Sequence, residues 1–469
     1  MAALLHGVFF MLKKFVGDRA FYRKLFTVMV PILIQNLITN FVNLLDNVMV
    51  GQIGTEPMSG VAIVNQLLFV FNLCVFGGLA GAGIFTSQFY GKNDQEGVRQ
   101  TMRLKIWIAA GTLLIFGTLL LLSGPQLIGL FLHEGKEGLD LAATLRYGES
   151  YLHVILLQIV PFAVTQIYAS TLRGTGETVL PMRAGITAVL VNLSFNYILI
   201  FGKLGFPALG VVGAAAATVL ARVVEMLIVV VWAHRHIERL PYIPGLYRTL
   251  RVPAALSRQV MLLGAPLLFN ELLWSGGMTV LNQCYSLRGL EVVSAFNISS
   301  TIGNLCFCSF IAMGDSIAIL IGQLLGAGEL ERAVDEDRRL IAFSVTLSFL
   351  IAGLMALVAP LIPQLYNTTD AVRRLAARLL LIWACLMPLH AYANACYFTL
   401  RSGGKTLITF AFDSLFVWVL QIPLAFALSR LTAVPILPMY MMVEGMNIVK
   451  CVIGALMLKS RKWVVNLVE

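Results

Sequence analysis

Residues 25–50 read LFTVMVPILIQNLITNFVNLLDNVMV, and Asp46 is the single ionisable side chain in the run. An α-helix rises about 1.5 Å per residue, so a run of this length crosses the roughly 30 Å of bilayer hydrocarbon. Residues 181–201 and 341–365 are also apolar and nearly charge-free. The composition agrees: of 469 residues, 58% are hydrophobic and 12% charged, with a mean hydropathy of +0.84. Soluble domains carry roughly 25% charged residues. Half that share leaves too little polar surface to cover a globule of this size, which excludes a soluble fold.

Outward from the opening stretch, apolar runs recur at 58–88, 104–123, 148–172, 180–201 and 210–232. They continue at 259–286, 292–325, 339–363, 375–400, 406–428 and 435–458. The pattern predicts an all-α polytopic membrane protein of about twelve transmembrane helices. Lys and Arg alternate between the intervening loops. Lys13, Lys14, Arg19, Arg23, Lys24, Lys92, Arg99, Arg103, Lys105, Arg173, Arg183, Arg235, Arg239, Arg248, Arg251 and Arg258 fall on one side. Arg332, Arg338, Arg339, Arg401, Lys405, Lys459, Arg461 and Lys462 join them. The opposite loops hold little beyond Lys136, Arg146, Lys203, Arg288, Arg373, Arg374, Arg378 and Arg430. This bias of roughly three to one assigns both termini to the cytoplasm. The net charge of +10 then reads as a positive-inside bias and not as a nucleic-acid surface.

The apolar stretch 2–12 precedes the first basic residues, the reverse of a signal peptide, and reads as an interfacial extension. The seven cysteines (Cys74, Cys284, Cys306, Cys308, Cys385, Cys396, Cys451) all lie in apolar segments, so no disulfide framework is implied.

The chain repeats itself. An offset of 235 positions carries Pro31 onto Pro266 and, without a gap, Gly54 onto Gly289 and Glu56 onto Glu291. The same register matches Gln88 with Gln323, Gly91 with Gly326, Glu96 with Glu331 and Arg103 with Arg338. An offset of 228 matches Thr171-Leu172-Arg173 with Thr399-Leu400-Arg401. Each half holds six spans and enters the membrane from the same side, a parallel repeat of the kind that places a central cavity between two moving halves. The expected organisation is a cytoplasmic segment 1–24, a six-helix half 25–233, a polar cytoplasmic linker 234–258, a second half 259–458 and a tail 459–469. This repeat favours a transporter over a membrane enzyme.

Motifs for other chemistry are weak. Gly403-Gly404-Lys405-Thr406 resembles the end of a P-loop, but Thr399 stands where that motif needs its first glycine, and no strand precedes it. Asp335-Glu336-Asp337 reads as a solvated interfacial face. No zinc-ligand spacing occurs, and no metal or cofactor is implied.

Acids inside spans carry more information, because a charge in hydrocarbon must be neutralised by a partner, a proton or a cation. Glu225 lies three residues after Arg222, so the two pair on one helix face. Asp413 lies within reach of Lys405 or Arg401. Glu444 reads as a hydrogen-bonding group between helices. Asp46, Glu271 and Asp315 have no base within a turn of their own helices. Asn36, Asn40, Asn43 and Asn47 form a polar stripe beside Asp46, with Gln35 near its start. Such a stripe on an apolar helix faces protein or a water-filled cavity and not lipid.

On these residues the chain resembles the multidrug and toxic compound extrusion family of polyspecific drug–cation antiporters, over nearly its whole length. The marks are Pro31-x-x-x-Gln35, then Asp46-Asn47-Val48-Met49-Val50-Gly51-x-x-Gly54. Leu172-Arg173-Gly174-Thr175-Gly176 and Gly322-Gln323-x-x-Gly326-Ala327-Gly328 add to them. The resemblance implies a cation-coupling acid in the first span, matched by Asp46. In one branch it implies another in the seventh span after a proline, matched by Glu271 after Pro266. Two positions depart from the family. His390 stands where that branch has an acid in the tenth span. Asn196, four residues after Asn192, stands where another branch has an aspartate.

The expected function is efflux of cationic amphiphiles in exchange for an inward proton or sodium, by a monomer in the plasma (inner) membrane. Asp46 and Glu271 are the expected coupling acids, with sodium as the one metal conceivable, at Glu271. Gln35, Asn43, Asn192, Asn196, Asp315, His390 and Asp413 are the candidates lining the cavity. Two rivals are weighed. A flippase for lipid-linked sugars needs several unpaired in-span bases, which are scarce here. A membrane-embedded transferase needs clustered Asp and His at one membrane face, which is not found.

Overall fold

The structure is a computed structural model that describes residues 14–132, 140–366 and 368–469; the side chains of Asn43 and Leu44 and the stretch 2–12, expected at the interface, lie outside that description. All regular structure among the described residues is helical. Among the described residues, twelve helices are long and apolar enough to cross a membrane. They are α1 (Arg19–Gly51), α2 (Thr55–Gly91), α3 (Gln95–Gly129), α4 (Leu141–Gly174), α5 (Val179–Phe201) and α6 (Gly210–Arg235). The second set is α7 (Ala254–Ser286), α8 (Leu290–Gly326), α9 (Leu330–Val358), α10 (Asp370–Ser402), α11 (Thr406–Leu431) and α12 (Ile436–Lys459). Each expected run falls on one of these helices. The run 339–363 overshoots, because α9 ends at Val358 and a short 3-10 turn, Ile362–Leu365, follows Pro360.

Local chemistry sets several boundaries. Asp94 caps α3 by accepting from the Gly97 N–H at 2.8 Å, and Asp140 caps α4 by accepting from Ala143 at 3.0 Å. Gly54 and Gly289, matched by the repeat, have φ of 146° and 120° in the turns before α2 and α8. A side chain would be strained at either position. Outer faces stay apolar: Leu114, Leu121 and Leu122 on α3 and Leu350, Leu354 and Leu357 on α9 are all exposed. Lipid and not water is the solvent for such faces.

The chain divides into two compact units, and the division falls inside helices. One, the N-unit, comprises Ile34–Thr86 and Asp94–Leu268; the other, the C-unit, comprises Phe269–Glu469 with Ser87–Asn93 and the chain up to Leu33. Helices α1 and α7 therefore change unit close to Pro31 and Pro266, the pair that anchors the repeat.

In the N-unit, α6 packs against α4 and α5, and α3 against α4. Residues 236–253 are not a free linker there. Tyr242 is 1% exposed, with Leu240, Ile243 and Leu246 also buried. Arg99 donates to the Tyr242 carbonyl at 3.0 Å, Arg103 to those of Leu246 and Gly245 at 3.0 and 2.9 Å, and Trp107 to that of Leu250 at 2.9 Å. Guanidinium and indole donors thus satisfy a turn-rich backbone that has no ladder of its own.

In the C-unit, α10 packs against α8, α9 and α12. Its core joins Leu25 and Ile32 of α1 to Met313, Ile317, Leu320, Ile321, Leu325, Leu340 and Cys396. Two helix ends cross very closely. A Cβ on Gly91 would lie 1.9 Å from the Gln323 carbonyl oxygen, and one on Gly326 would lie 1.9 Å from that of Gln88. These four residues are two of the repeat's matched pairs, and the contact is reciprocal. The tail after α12 docks here as well. The Gln88 amide donates to Ser402 and Val465 carbonyls at 3.0 and 3.3 Å and accepts from the Leu467 N–H at 2.7 Å. Lys92 donates to the Val468 carbonyl, and Trp463 is buried on Gly403. The segment after α6 does the same in its own unit, where the Tyr242 and Thr175 hydroxyls meet at 3.2 Å. Thr175 and Gly403 are equivalent at the 228 offset.

Candidate functional site

In the N-unit the polar groups of α1, α5 and α6 converge on Asp46. Asn192 and Asn196 lie one turn apart on α5, so both amides face the same way. The Asn196 amide donates to Asp46 Oδ1 at 2.7 Å and to Asn192 Oδ1 at 3.1 Å, and the Asn192 amide donates to Thr218 Oγ1 at 3.1 Å. Turning the Asn192 amide by half a rotation puts its nitrogen 2.8 and 3.0 Å from the two Asp46 oxygens. Asn192 and Asn196 are buried, and Asn196 Oδ1 has no hydrogen-bond partner among the described residues. Arg222 is the base whose charge reaches Asp46, yet it is committed to Glu225 at 2.8 Å, as their spacing predicts. Asp46 itself forms no ion pair among the described residues. Gln35 lies against Gly185, about two turns earlier on α5. Asn43 lies outside the described side chains. Thr218, which completes the cluster, is a residue that acid counting misses; its signal is its position on α6 one turn before Arg222.

In the C-unit the polar groups come from α7, α10, α11 and α12. The Asn270 amide donates to Asp413 Oδ2 at 3.2 Å and to the Tyr397 hydroxyl at 3.3 Å, while its oxygen accepts from Ser414 Oγ at 2.7 Å. The remaining Asp413 oxygen, Oδ1, accepts from Lys450 Nζ at 2.6 Å. The sequence assigned Asp413 to Lys405 or Arg401; its partner is Lys450. The partner comes from α12, 37 residues further along the chain, so only the packing of α12 beside α11 brings it to the carboxylate.

Glu271, next to Asn270, forms no hydrogen bond or ion pair among the described residues. The charges of Arg401, Asp413 and Asp315 act on it. His390 faces Glu444, with Nε2 3.5 Å from Oε2, and stacks on Trp383 at 6.4 Å. Helix α12 is interrupted at Met446, and there Asn447 donates to the Glu444 carbonyl at 2.9 Å and to its carboxylate at 3.3 Å.

Two further buried titratable side chains follow the repeat. Lys105 is fully buried and donates to Thr171 Oγ1 at 3.0 Å; Thr399 Oγ1 donates to Asp337 Oδ1 at 2.5 Å. Thr171 and Thr399 are equivalent, but one serves a cation and the other an acid. The reading of residues 335–337 as a solvated face holds for Asp335 alone. Glu336 binds Arg332 at 2.8 Å and Asp337 is 3% exposed, because both lie on the side of α9 that packs inward. Among the described residues no cluster of three His, Cys, Asp or Glu side chains could hold a metal.

Twelve helices in a twofold repeat, with acids held inside their spans, define a polytopic transporter fold. The comparisons agree. The MatE family profile matches residues 31–198 and 266–427, so the chain belongs to the MatE family of membrane transporters. It is 25% identical over 428 residues to the probable multidrug resistance protein YoeA of Bacillus subtilis, covering 89% of each chain. It is 24% identical to the probable multidrug resistance protein NorM of Thermotoga maritima, covering 94% of this chain and 93% of that one. Its fold matches a crystal structure of a Vibrio cholerae MATE transporter with a TM-score of 0.84 at 20% identity, over 95% of this chain and 98% of that one.

Proposed function

We propose that this transporter exports lipophilic organic cations in exchange for protons entering along their gradient, and that Asp46 and Glu271 are the coupling carboxylates. The observation that supports it most is the state of Asp46. It lies inside a membrane-spanning helix, bound by an amide, while Arg222, the base whose charge reaches it among the described residues, is paired with Glu225. A carboxylate in low dielectric cannot cheaply stay uncompensated, nor hold two cations at once. Proton and cationic cargo then compete for one negative charge, and exchange follows when access alternates between the two sides. Asn192 suits a proton. Its Oδ1 can accept from a protonated Asp46, and after a half-turn its nitrogen donates to the ionised form at 2.8 and 3.0 Å. One amide thus serves both protonation states.

Sodium is the second reading, and one observation favours it. The unpartnered Asn196 Oδ1, with Asp46, Asn192 and Thr218, offers the hard oxygen ligands that alkali cations take. The names of the relatives support an efflux role with varied small-molecule cargo. The loop bias supports cytoplasmic termini, a cytoplasmic linker and residence in the plasma (inner) membrane. The test is transport in proteoliposomes of the purified protein under separately imposed proton and sodium gradients. The expected result is cationic-dye efflux driven by the proton gradient alone. Efflux only with sodium would overturn the choice of ion, and movement of anionic lipid-linked sugars without dye transport would replace the function by flipping.

A further inference from the structure

The C-unit already holds a cation. Lys450 is 8% exposed, its Nζ is 2.6 Å from Asp413 Oδ1, and it lies over the Phe412 and Phe416 rings at 5.2 and 5.9 Å from their centroids. Asn270 fixes the other carboxylate oxygen at 3.2 Å. Phe412 and Asp413 lie in the π-helical stretch Ala411–Leu415, and Phe416 follows it directly. The wide turn therefore presents a carboxylate and two ring faces to one point. A carboxylate with aromatic faces around an ammonium is the chemistry by which proteins recognise alkylammonium ligands. The Arg222–Glu225 pair of the N-unit is different in kind: its partners lie three residues apart on one helix. Lys450 reaches its acid from another helix, 37 residues away.

We propose that Asp413, Phe412, Phe416 and Asn270 form an alkylammonium-binding subsite, and that Lys450 is its tethered occupant. The link to cargo rests on the reading of an organic-cation exporter given above. A cationic cargo then reaches Asp413 only by displacing Lys450. The displaced ammonium has a second carboxylate within electrostatic reach, that of Glu444 beside His390. Lys450 thus sets the specificity of the C-unit. It shuts out small cations that cannot repay its removal and admits those that bring their own apolar surface to the two rings.

The experiment empties the cage and refills it. Lys450→Ala removes the equivalent of n-propylammonium, so that amine is the probe. Thermal unfolding of the purified protein in detergent is followed with propylammonium chloride, sodium chloride or 1-propanol at equal concentration. Propylammonium should raise the unfolding midpoint of Lys450→Ala by a few degrees, as expected for a ligand that binds only the folded state. It should leave the wild type unmoved, and Lys450→Ala/Asp413→Asn should not respond. No response in Lys450→Ala, or an equal one in the wild type or the double variant, overturns the proposal. Should Lys450→Ala not accumulate, Phe416→Leu is compared in the wild type and in Lys450→Met/Asp413→Asn, which carries no unpaired charge. The cage predicts a larger loss of stability where Lys450 is present, and equal losses refute it. The readout is unfolding, so failure of the subsite and failure of the antiport reading are told apart.

Discussion

Gly326→Ala places a methyl group 1.9 Å from the carbonyl oxygen of Gln88, and Gly91→Ala places one at the same distance from that of Gln323. Real Cβ atoms essentially never approach a heavy atom within 3.0 Å, so the crossing must open by at least 1.1 Å (3.0 − 1.9) in either variant. The obstacle is backbone inside regular helix, not a side chain that can swing aside. Overpacking of this kind costs about 1–3 kcal/mol. Both methyl groups press on one crossing, so the displacement forced by the first makes room for the second. The double variant should therefore lose less than the sum of the singles. Gly111 and Gly353 are the controls. Each is inside a helix, with nothing within 4 Å of the point a methyl group would occupy, and alanine there should be neutral or stabilising by up to about 1 kcal/mol. Unfolding midpoints of the four single variants and the Gly91/Gly326 double in detergent supply the comparison. If Gly326→Ala behaves like Gly111→Ala, the close crossing is not a property of the protein.

Three further outcomes follow from the same geometry. Asp413→Asn should destabilise by about 3–5 kcal/mol, because it leaves the buried Lys450 uncompensated, and Lys450→Met by less, because Asp413 is only half-buried; the pair together should recover most of the loss in a thermal-unfolding cycle. Trp463→Ala should cost about 3–5 kcal/mol if the tail is a packed element, and an unchanged midpoint would make it a passive extension. Arg248→Cys, exposed in the segment after α6, should react with a membrane-impermeant thiol reagent only after cells are opened, in a background lacking the native cysteines. Labelling in intact cells would reverse the assigned topology.

The twelve spans and the repeat were legible because both rest on features that a bilayer and a helix impose locally. An apolar run of fixed length is one, and Pro, Gly and Gln at a constant offset is the other. Gly54 and Gly289 share a positive φ, and Gly91 and Gly326 meet reciprocally, as matched residues should. The pairing of Arg222 with Glu225 was legible for the same local reason. The partner of Asp413 was not, since it lies on another helix 37 residues away and no pattern within α11 announces which helix packs beside it. Asp337 and Lys105 were hidden differently. Each sits near a helix end, where charge is normally solvated, and only packing against Thr399 and Thr171 reveals that it is buried. The segment 234–258 reads as a linker for its prolines and charges, yet its Tyr242, Ile243 and Leu246 are buried in the N-unit.

The central claim is that Asp46 couples the inward ion to the outward cargo, and its removal tests this most directly. Asp46→Asn keeps the shape of the side chain and its place beside Asn192 and Asn196, but it can neither bind a proton nor carry a charge. Dye efflux driven by an imposed proton gradient is measured in proteoliposomes at matched protein density, with the unfolding midpoint recorded on the same preparation. The account predicts that gradient-driven efflux is abolished while expression and midpoint stay near those of the wild type. Near-wild-type efflux by Asp46→Asn would contradict it.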